Sequence, residues 1–313
     1  MLHAPERTKV AVTGAFGFTG HALAEQLLAA GHEVVTLSRH SGSGDPLADR
    51  IDVRPFGPDT KPGAIADALG GVHTLFNTHW LRFPRGKQTF EKAIERSATL
   101  LGVARECGVR RVVHVSVVNA SPDAETPYVR AKAALEGVVR ASGLEWVIVR
   151  PTLTYGRDDI LINNLAWALR RLPVFGIPGY GRYTVQPIHV DDVARLCIEA
   201  SVGDEGLVLD AAGPETLEYR ELVAAVRKAV GSRSLVMPMP HLGVLTAARV
   251  IGLLVHDTVL TRDEVRELTS SLLTSHQPPR GQVRISEWLP ANAPSLGRHW
   301  SSELARNYRD IRG

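Results

Sequence analysis

The chain has 313 residues, 44% of them apolar and 22% charged, with a formal net charge of +3. That balance excludes a disordered, collagen-like or coiled-coil protein and leaves room for one large domain or two intimate ones around a substantial core. The longest stretches without Lys, Arg, Asp or Glu, residues 10–24 and 234–248, are shorter than the ~18 apolar residues of a spanning helix and are interrupted by Gly, Pro or polar residues, so a soluble, cytoplasmic protein with no integral membrane segment is expected. Residues 1–8 are polar and carry no signal-peptide pattern, which speaks against export. Cys107 and Cys197 lie in helical patterns, and neither they nor the scattered histidines have metal-ligand spacing, so neither a disulfide nor a metal is expected. The basic charge comes in dispersed pairs such as Arg110-Arg111 and Arg170-Arg171, not in basic runs, and no nucleic-acid partner is expected.

In chain order, short β-branched runs alternate with longer helical patterns. Strands are predicted at Lys9–Thr13, Glu33–Ser38, 51–54, 73–77, 111–117 and 145–149, and helices at 18–30, 87–107 and 128–142. Gly31, Gly108 and Gly143 stop the three helices, and Pro151 ends the last strand. The pattern predicts an α/β fold, a Rossmann-type doubly wound parallel sheet whose ligands sit at the carboxyl ends of its strands. Beyond it, 173–181 (PVFGIPGYG) reads as loop, 183–188 as a strand, 191–201 as a helix with Asp191 near its N-cap, and 207–210 as a strand; these could rejoin the first sheet. Helices follow at 219–230, 242–255, 262–273 and 302–310, with proline-rich breaks at 238–240 and 278–279. The expected domains are therefore 1–155, rejoined by 183–212, and a smaller, mostly helical C-terminal lobe of 156–182 and 213–313. Within that lobe, 242–255 is the most apolar segment. Arg249 is its only formal charge, which favours packing within the lobe over contact with a membrane surface.

Between the first strand and first helix stands Gly14-Ala15-Phe16-Gly17-Phe18-Thr19-Gly20. With 28 glycines in the chain, such a triplet arises by chance about 0.2 times, so its position carries the inference. Glycines between a strand and a helix let a pyrophosphate reach backbone N–H groups at the positive helix end. The second strand ends Leu37-Ser38-Arg39-His40, with no carboxylate until Asp45. An acidic residue there would bind the ribose hydroxyls of NAD(H) and repel a phosphate; Arg39 instead suits a 2′-phosphate, which favours NADP(H) over NAD(H). Tyr128 and Lys132 lie four apart on a predicted helix, so they share one face. A neighbouring ammonium stabilises a phenolate and brings a tyrosine toward useful acid/base strength.

These segments resemble those of the extended short-chain dehydrogenases/reductases, of the epimerase/dehydratase-like kind. The matching pieces are TGAFGFTG at 13–20, VRRVVHVS at 109–116, YVRAK at 128–132, VRPTLTYG at 149–156 and IHVDDVA at 188–194. The resemblance implies Tyr128 as catalytic acid/base, Lys132 as its activator and ribose ligand, and Pro151 near the nicotinamide end of the cofactor. Asn77, at the end of the fourth strand, joins the expected cofactor residues. The family's serine or threonine falls at Val118 here, leaving Ser116 as the candidate substitute, and the third helix lacks the usual asparagine. Asn77-Thr78-His79-Trp80 replaces a common small-residue segment. These departures resemble an atypical subgroup that includes the NADPH-binding accessory subunit of mitochondrial complex I, which leaves open a non-catalytic scaffold or redox-sensing role. An enzyme of this kind would act on a small-molecule hydroxyl or carbonyl substrate, in a cleft lined by Asn163, Trp167 and residues 173–183. Relatives dimerise through the helices at 87–107 and 128–142, so a homodimer is possible on the same pattern.

Overall fold

The computed structural model describes residues 8–308. The reading of residues 1–7 and the end of the last predicted helix, 309–310, lie outside the described residues. Elements follow one another as β1 (Lys9–Thr13), α1 (Phe18–Ala29), β2 (Glu33–Ser38), β3 (Asp52–Pro55), α2 (Pro62–Leu69), β4 (Thr74–Asn77), α3 (Phe90–Glu106), β5 (Arg111–Val115), α4 (Pro127–Arg140) and β6 (Glu145–Pro151). Next come β7 (Leu153–Tyr155), α5 (Leu161–Arg171), β8 (Val174–Pro178), β9 (Thr184–Val185), β10 (Pro187–His189), α6 (Val190–Val202), β11 (Leu207–Ala211) and β12 (Leu217–Glu218). The chain closes with α7 (Tyr219–Ala229), β13 (Leu235–Met239), α8 (His241–Val255), α9 (Arg262–Thr269), α10 (Ile285–Asn292) and α11 (Glu303–Asn307). Two compact units result, residues 1–150 with 193–209, and residues 151–192 with 210–313.

The first unit holds a seven-stranded sheet of order β11-β6-β5-β4-β1-β2-β3, with parallel pairing from β6 through to β3. Strand order reverses beside β1, because β2 lies on one side of it and β4 on the other, which is the point where such sheets bind ligands. Leu37, Leu75, Val112 and Ile148 from the sheet pack with Ile65, Leu69, Leu100 and Leu101 from α2 and α3 in one core. Helix α3 begins where the Thr89 hydroxyl accepts the Lys92 N–H and stops at Gly108, whose φ of +79° only glycine adopts freely. At the amino end of β5, buried Arg111 donates to the Glu145 carboxylate and to the carbonyls of Ala200 and Gly203. One guanidinium thus ties β6 and the end of α6 to the sheet.

The second unit has its own core, in which Tyr155, Ile162, Leu165 and Leu169 meet Leu222, Val226 and Leu289. Several expectations are corrected here. The stretch 173–181 is not all loop: β8 pairs in parallel register with β13, which absorbs the proline-rich break at 238–240. A two-stranded ribbon has only edge strands, and edges tolerate proline. Residues 183–188 do not rejoin the large sheet but form β9 and β10, separated by Gln186, which bridges Gly213 and Ser275 through its amide. Helix α9 is shorter than 262–273, and α10 was not anticipated. Asp191 lies in the first turn of α6, near its start as expected, and donates its own N–H to His189 Nδ1 at 3.3 Å. Asp192 instead accepts the N–H groups of Gln282 and Val283.

Because Arg111→Ala leaves the Ala200 and Gly203 carbonyls without their donor, while Glu145 keeps Arg110, it is expected to lower unfolding stability by about 2 kcal/mol. Urea denaturation checks this, and a loss within error of zero would contradict the anchoring role.

Candidate functional site

The turn after β1 is set by backbone contact. Gly14 has φ +69°, donates its N–H to the Leu37 carbonyl at 2.9 Å, and accepts the Gly17 N–H at 2.8 Å. A Cβ on Gly20 would stand 2.2 Å from the Gly14 oxygen, so no other residue fits there. The Ala15 N–H meets the Thr36 hydroxyl at 3.1 Å, while Phe16 lies so close over Gly42 that a Cβ there would be 2.3 Å from its ring. Helix α1 then starts at Gly17 with no side-chain cap and no acidic residue in its first turn, which contains Phe18, Thr19 and Gly20. An uncapped first turn presents N–H groups and a positive dipole end to an anion.

Thr13 organises the next strand. Its hydroxyl donates to Asn77 Oδ1 at 3.2 Å and accepts the N–H groups of Thr78 and His79, at 2.9 and 3.0 Å. Asn77 Nδ2, His79 Nε2 and Trp80 Nε1 are nevertheless buried without partners, as are His114 Nε2 and Ser116 Oγ beside them on β5 and just beyond it. Five orphaned polar atoms at two adjacent strand ends are costly in a folded protein unless a ligand meets them.

Positive charge converges on the same place. Burial, followed by the nearby Arg96, Arg39, Lys132 and His40, pushes the His79 pKa down to about 3, so its ring is neutral near pH 7. His114, with Nδ1 3.2 Å from the Asn77 carbonyl, is likewise held to about 3, by burial and then by Lys132. Burial and the adjacent Arg39 both lower the pKa of Arg96. At the end of β2, the Ser38 hydroxyl accepts the His40 N–H and shapes the backbone that carries Arg39. Arg96 was missed in the sequence, although a charge three residues after inward-facing Ala93 was a readable signal. His114, a histidine in the middle of the β-branched run 112–117, was another.

Tyr128 and Lys132 share a face of α4, as their spacing predicts. Lys132 Nζ donates to the Val115 carbonyl at 3.0 Å and lies 4.7 Å from the centroid of Trp80. Trp80 stacks on Phe90 at 5.6 Å and meets the Tyr128 ring edge-on at 6.4 Å. Trp80 therefore touches both Lys132 and Tyr128 while packing in the small cluster of Leu81, Phe90, Ala93 and Ala131. Burial lowers the Lys132 pKa to about 7 against the opposing pull of Glu136. Glu136 is fixed by Arg150 at 2.8 and 2.6 Å and by Arg140 at 3.0 Å. Ser116 donates its N–H to the Val149 carbonyl, and Val118 is buried and apolar.

Pro151 ends β6 and belongs to the second unit. There Asn163, expected to line a cleft, donates its amide to the carbonyls of Arg157 and Asp159 at 2.8 and 2.9 Å, and Trp167 packs against Trp300. Both residues make these contacts within that unit. Among the described residues no group of three or more His, Cys, Asp or Glu could hold a metal, and no helix is long and apolar enough to cross a membrane.

The buried histidines give a pH prediction with a defined sign. Their folded pKa values lie below the ordinary 6.5, so the unfolded state takes up protons first; stability is intact above pH 6.5 and falls as pH drops toward 3. Lys132 acts in the same direction at higher pH, with stability rising between about 7 and 10.5. His114→Asn is expected to recover on the order of 2 kcal/mol of the acid loss between pH 6.5 and about pH 5, read from urea midpoints. An unchanged pH slope would contradict the neutral, buried imidazole.

A family model described as NAD(P)H-binding matches residues 14–166. A (4-alkanoyl-5-oxo-2,5-dihydrofuran-3-yl)methyl phosphate reductase of Streptomyces griseus is 31% identical over 233 residues, covering 71% of this chain and 74% of that protein. Subunit 9 of the NADH dehydrogenase [ubiquinone] 1 alpha subcomplex, mitochondrial, from Arabidopsis thaliana is 26% identical over 284 residues, 84% of this chain and 70% of that protein. An uncharacterized Mycobacterium tuberculosis protein is 33% identical over 224 residues, covering 70% of this chain, which spans only 23% of that longer protein. Among solved structures, Citrobacter sp. triphenylmethane reductase superposes with TM-score 0.74 at 16% identity, covering 91% of this chain and 99% of that one. The NADPH-dependent quinone oxidoreductase of Escherichia coli, complexed with NADPH, superposes with TM-score 0.72 at 19% identity, covering 90% and 99%. With the glycine turn, the switch-point sheet and these likenesses together, the chain belongs to the NAD(P)H-binding family, which its reductase relative shares.

Proposed function

We propose that the first unit binds NADP(H) in preference to NAD(H) along the carboxyl edge of its sheet, and that Tyr128 moves the proton in a redox or epimerase-type reaction of a small hydroxyl or carbonyl substrate. The observation that carries this is the cluster of orphaned polar atoms at Asn77, His79, Trp80, His114 and Ser116, within the field of Arg39, Arg96 and Lys132. The turn of Gly14, Phe16, Gly17, Phe18, Thr19 and Gly20 takes the pyrophosphate, while Ser38 and Arg39 take the phosphorylated ribose. Asn77 and Lys132 offer donors further along the edge. When bound, the cofactor supplies or accepts the hydride.

The chain's own part is proton transfer and charge placement. Lys132, held under the Trp80 ring whose edge meets Tyr128, supplies the positive charge that favours a phenolate at Tyr128 during the reaction. Tyr128 then donates a proton to a developing alkoxide, or removes one in the reverse direction. Ser116 has an uncommitted hydroxyl to orient the substrate oxygen, a task buried Val118 cannot perform. The reading includes a cytoplasmic location and a homodimer through α3 and α4, which sedimentation of the purified protein tests.

Two substitutions test the reading. Tyr128→Phe is expected to retain NADPH binding and to lose about a thousandfold in NADPH oxidation across a panel of quinones and aldehydes. Arg39→Ala is expected to weaken NADPH about tenfold or more while leaving NADH nearly unchanged. A second reading, an NADP(H)-binding scaffold without turnover, is favoured by the loss of the hydroxyl at Val118. It predicts that Tyr128→Phe leaves the protein's role in the cell intact, and that outcome, with NADPH still bound, would replace the enzyme reading.

A further inference from the structure

Eight of the ten large hydrophobic side chains that stand exposed in the described residues belong to one substructure of the second unit: Val174, Tyr180, Leu235, Met237, Leu242, Val250, Leu253 and Leu254. In the β8–β13 ribbon Leu235 pairs with Val174 and Met237 with Gly176. Side chains alternate along a strand, so Val174, Leu235 and Met237 share the face opposite Phe175, Ile177 and Val236, which pack on the unit's core. Met239 lies on that same outer face, over Gly176, and Gly243 of α8 sits against it, so the helix continues the surface. Helix α8 turns only Val244 and Ala248 fully inward. Leu242, Val250, Leu253 and Leu254 remain 54–75% exposed, which overturns the expectation that 242–255 is used up in packing within its lobe.

A helix apolar on nearly every side is normally covered, and a patch of this extent marks a contact surface. Charge identifies what covers it. Residues 161–183 and 232–256 contain no Asp or Glu, whereas exposed Arg182, Arg233 and Arg249 flank the apolar face. The first carboxylate beyond α8, Asp257, is taken by donors from Trp300, Glu303 and Leu304. A second copy of this face would bring arginine against arginine. An anionic bilayer instead offers hydrocarbon to the leucines and phosphates to the guanidiniums.

We propose that the outer face of β8, β13 and α8 is a peripheral docking surface for anionic lipid membranes. It is independent of the dinucleotide site and of its chemistry. The test is co-sedimentation of the full-length protein with phosphatidylcholine vesicles, with and without phosphatidylglycerol, in low and high salt. Binding is expected only with phosphatidylglycerol, weakened by salt, reduced about fivefold or more by Arg249→Glu and about a hundredfold by Leu253→Glu combined with Leu254→Glu. Leu253→Ser combined with Leu254→Ser, a milder change at exposed positions, is expected to weaken binding too, and unchanged melting of either variant confirms folding. Equal binding to both vesicle types, or binding indifferent to these substitutions, would overturn the proposal. So would a concentration-dependent dimer lost on the same substitutions without any vesicle binding, because the face would then be an interface between copies.

Discussion

The approach of the Gly20 backbone to the carbonyl of Gly14 is the constraint on which the site depends. Only a residue without Cβ permits it, and it brings the first turn of α1 up against the end of β1. Thr13, the last residue of that strand, can then use its hydroxyl to align Asn77, Thr78 and His79 at the end of β4. The positions of His114 and Lys132 follow from β4 through its pairing with β5 and the Lys132 bond to Val115. A larger side chain at position 20 would therefore disturb more than a loop.

Electrostatics gives the second layer. His79, His114 and Lys132 are buried close to one another in the field of the partly exposed Arg39 and Arg96, and burial disfavours the charged forms of the two histidines and the lysine. Here the histidines answer by staying neutral, and Lys132 is supported by the Trp80 ring, the Val115 carbonyl and the field of Glu136. What remains is an excess of positive potential with orphaned donors and acceptors at its floor. Such a site is poised for a polyanionic ligand, whose phosphates meet charge and whose polar groups satisfy the orphans.

Much of this was legible in the chain because it is written locally. The strand-to-helix turn at 13–20, the β-branched strands, the glycine stops and the Tyr128–Lys132 spacing each depend on residues a few positions apart. Long-range features were not legible. The pairing of β8 with β13 joins segments about sixty residues apart, and their prolines, acceptable in a two-stranded ribbon, read as breaks. Arg96 and His114 matter through neighbours brought in by the fold. The low charge of 242–255 spoke against a membrane surface only while the segment was considered alone; two of the three arginines that border the face, Arg182 and Arg233, come from other stretches of the chain.

The central claim is that the carboxyl edge of the first unit's sheet is a site for a phosphorylated dinucleotide. Calorimetric titration of the cofactor-stripped, full-length protein with NADPH and NADH in parallel tests it most directly. Saturable binding with NADPH the tighter ligand is predicted. Binding of neither nucleotide would contradict the account, because the orphaned polar atoms and the uncapped helix would then have no ligand to explain them.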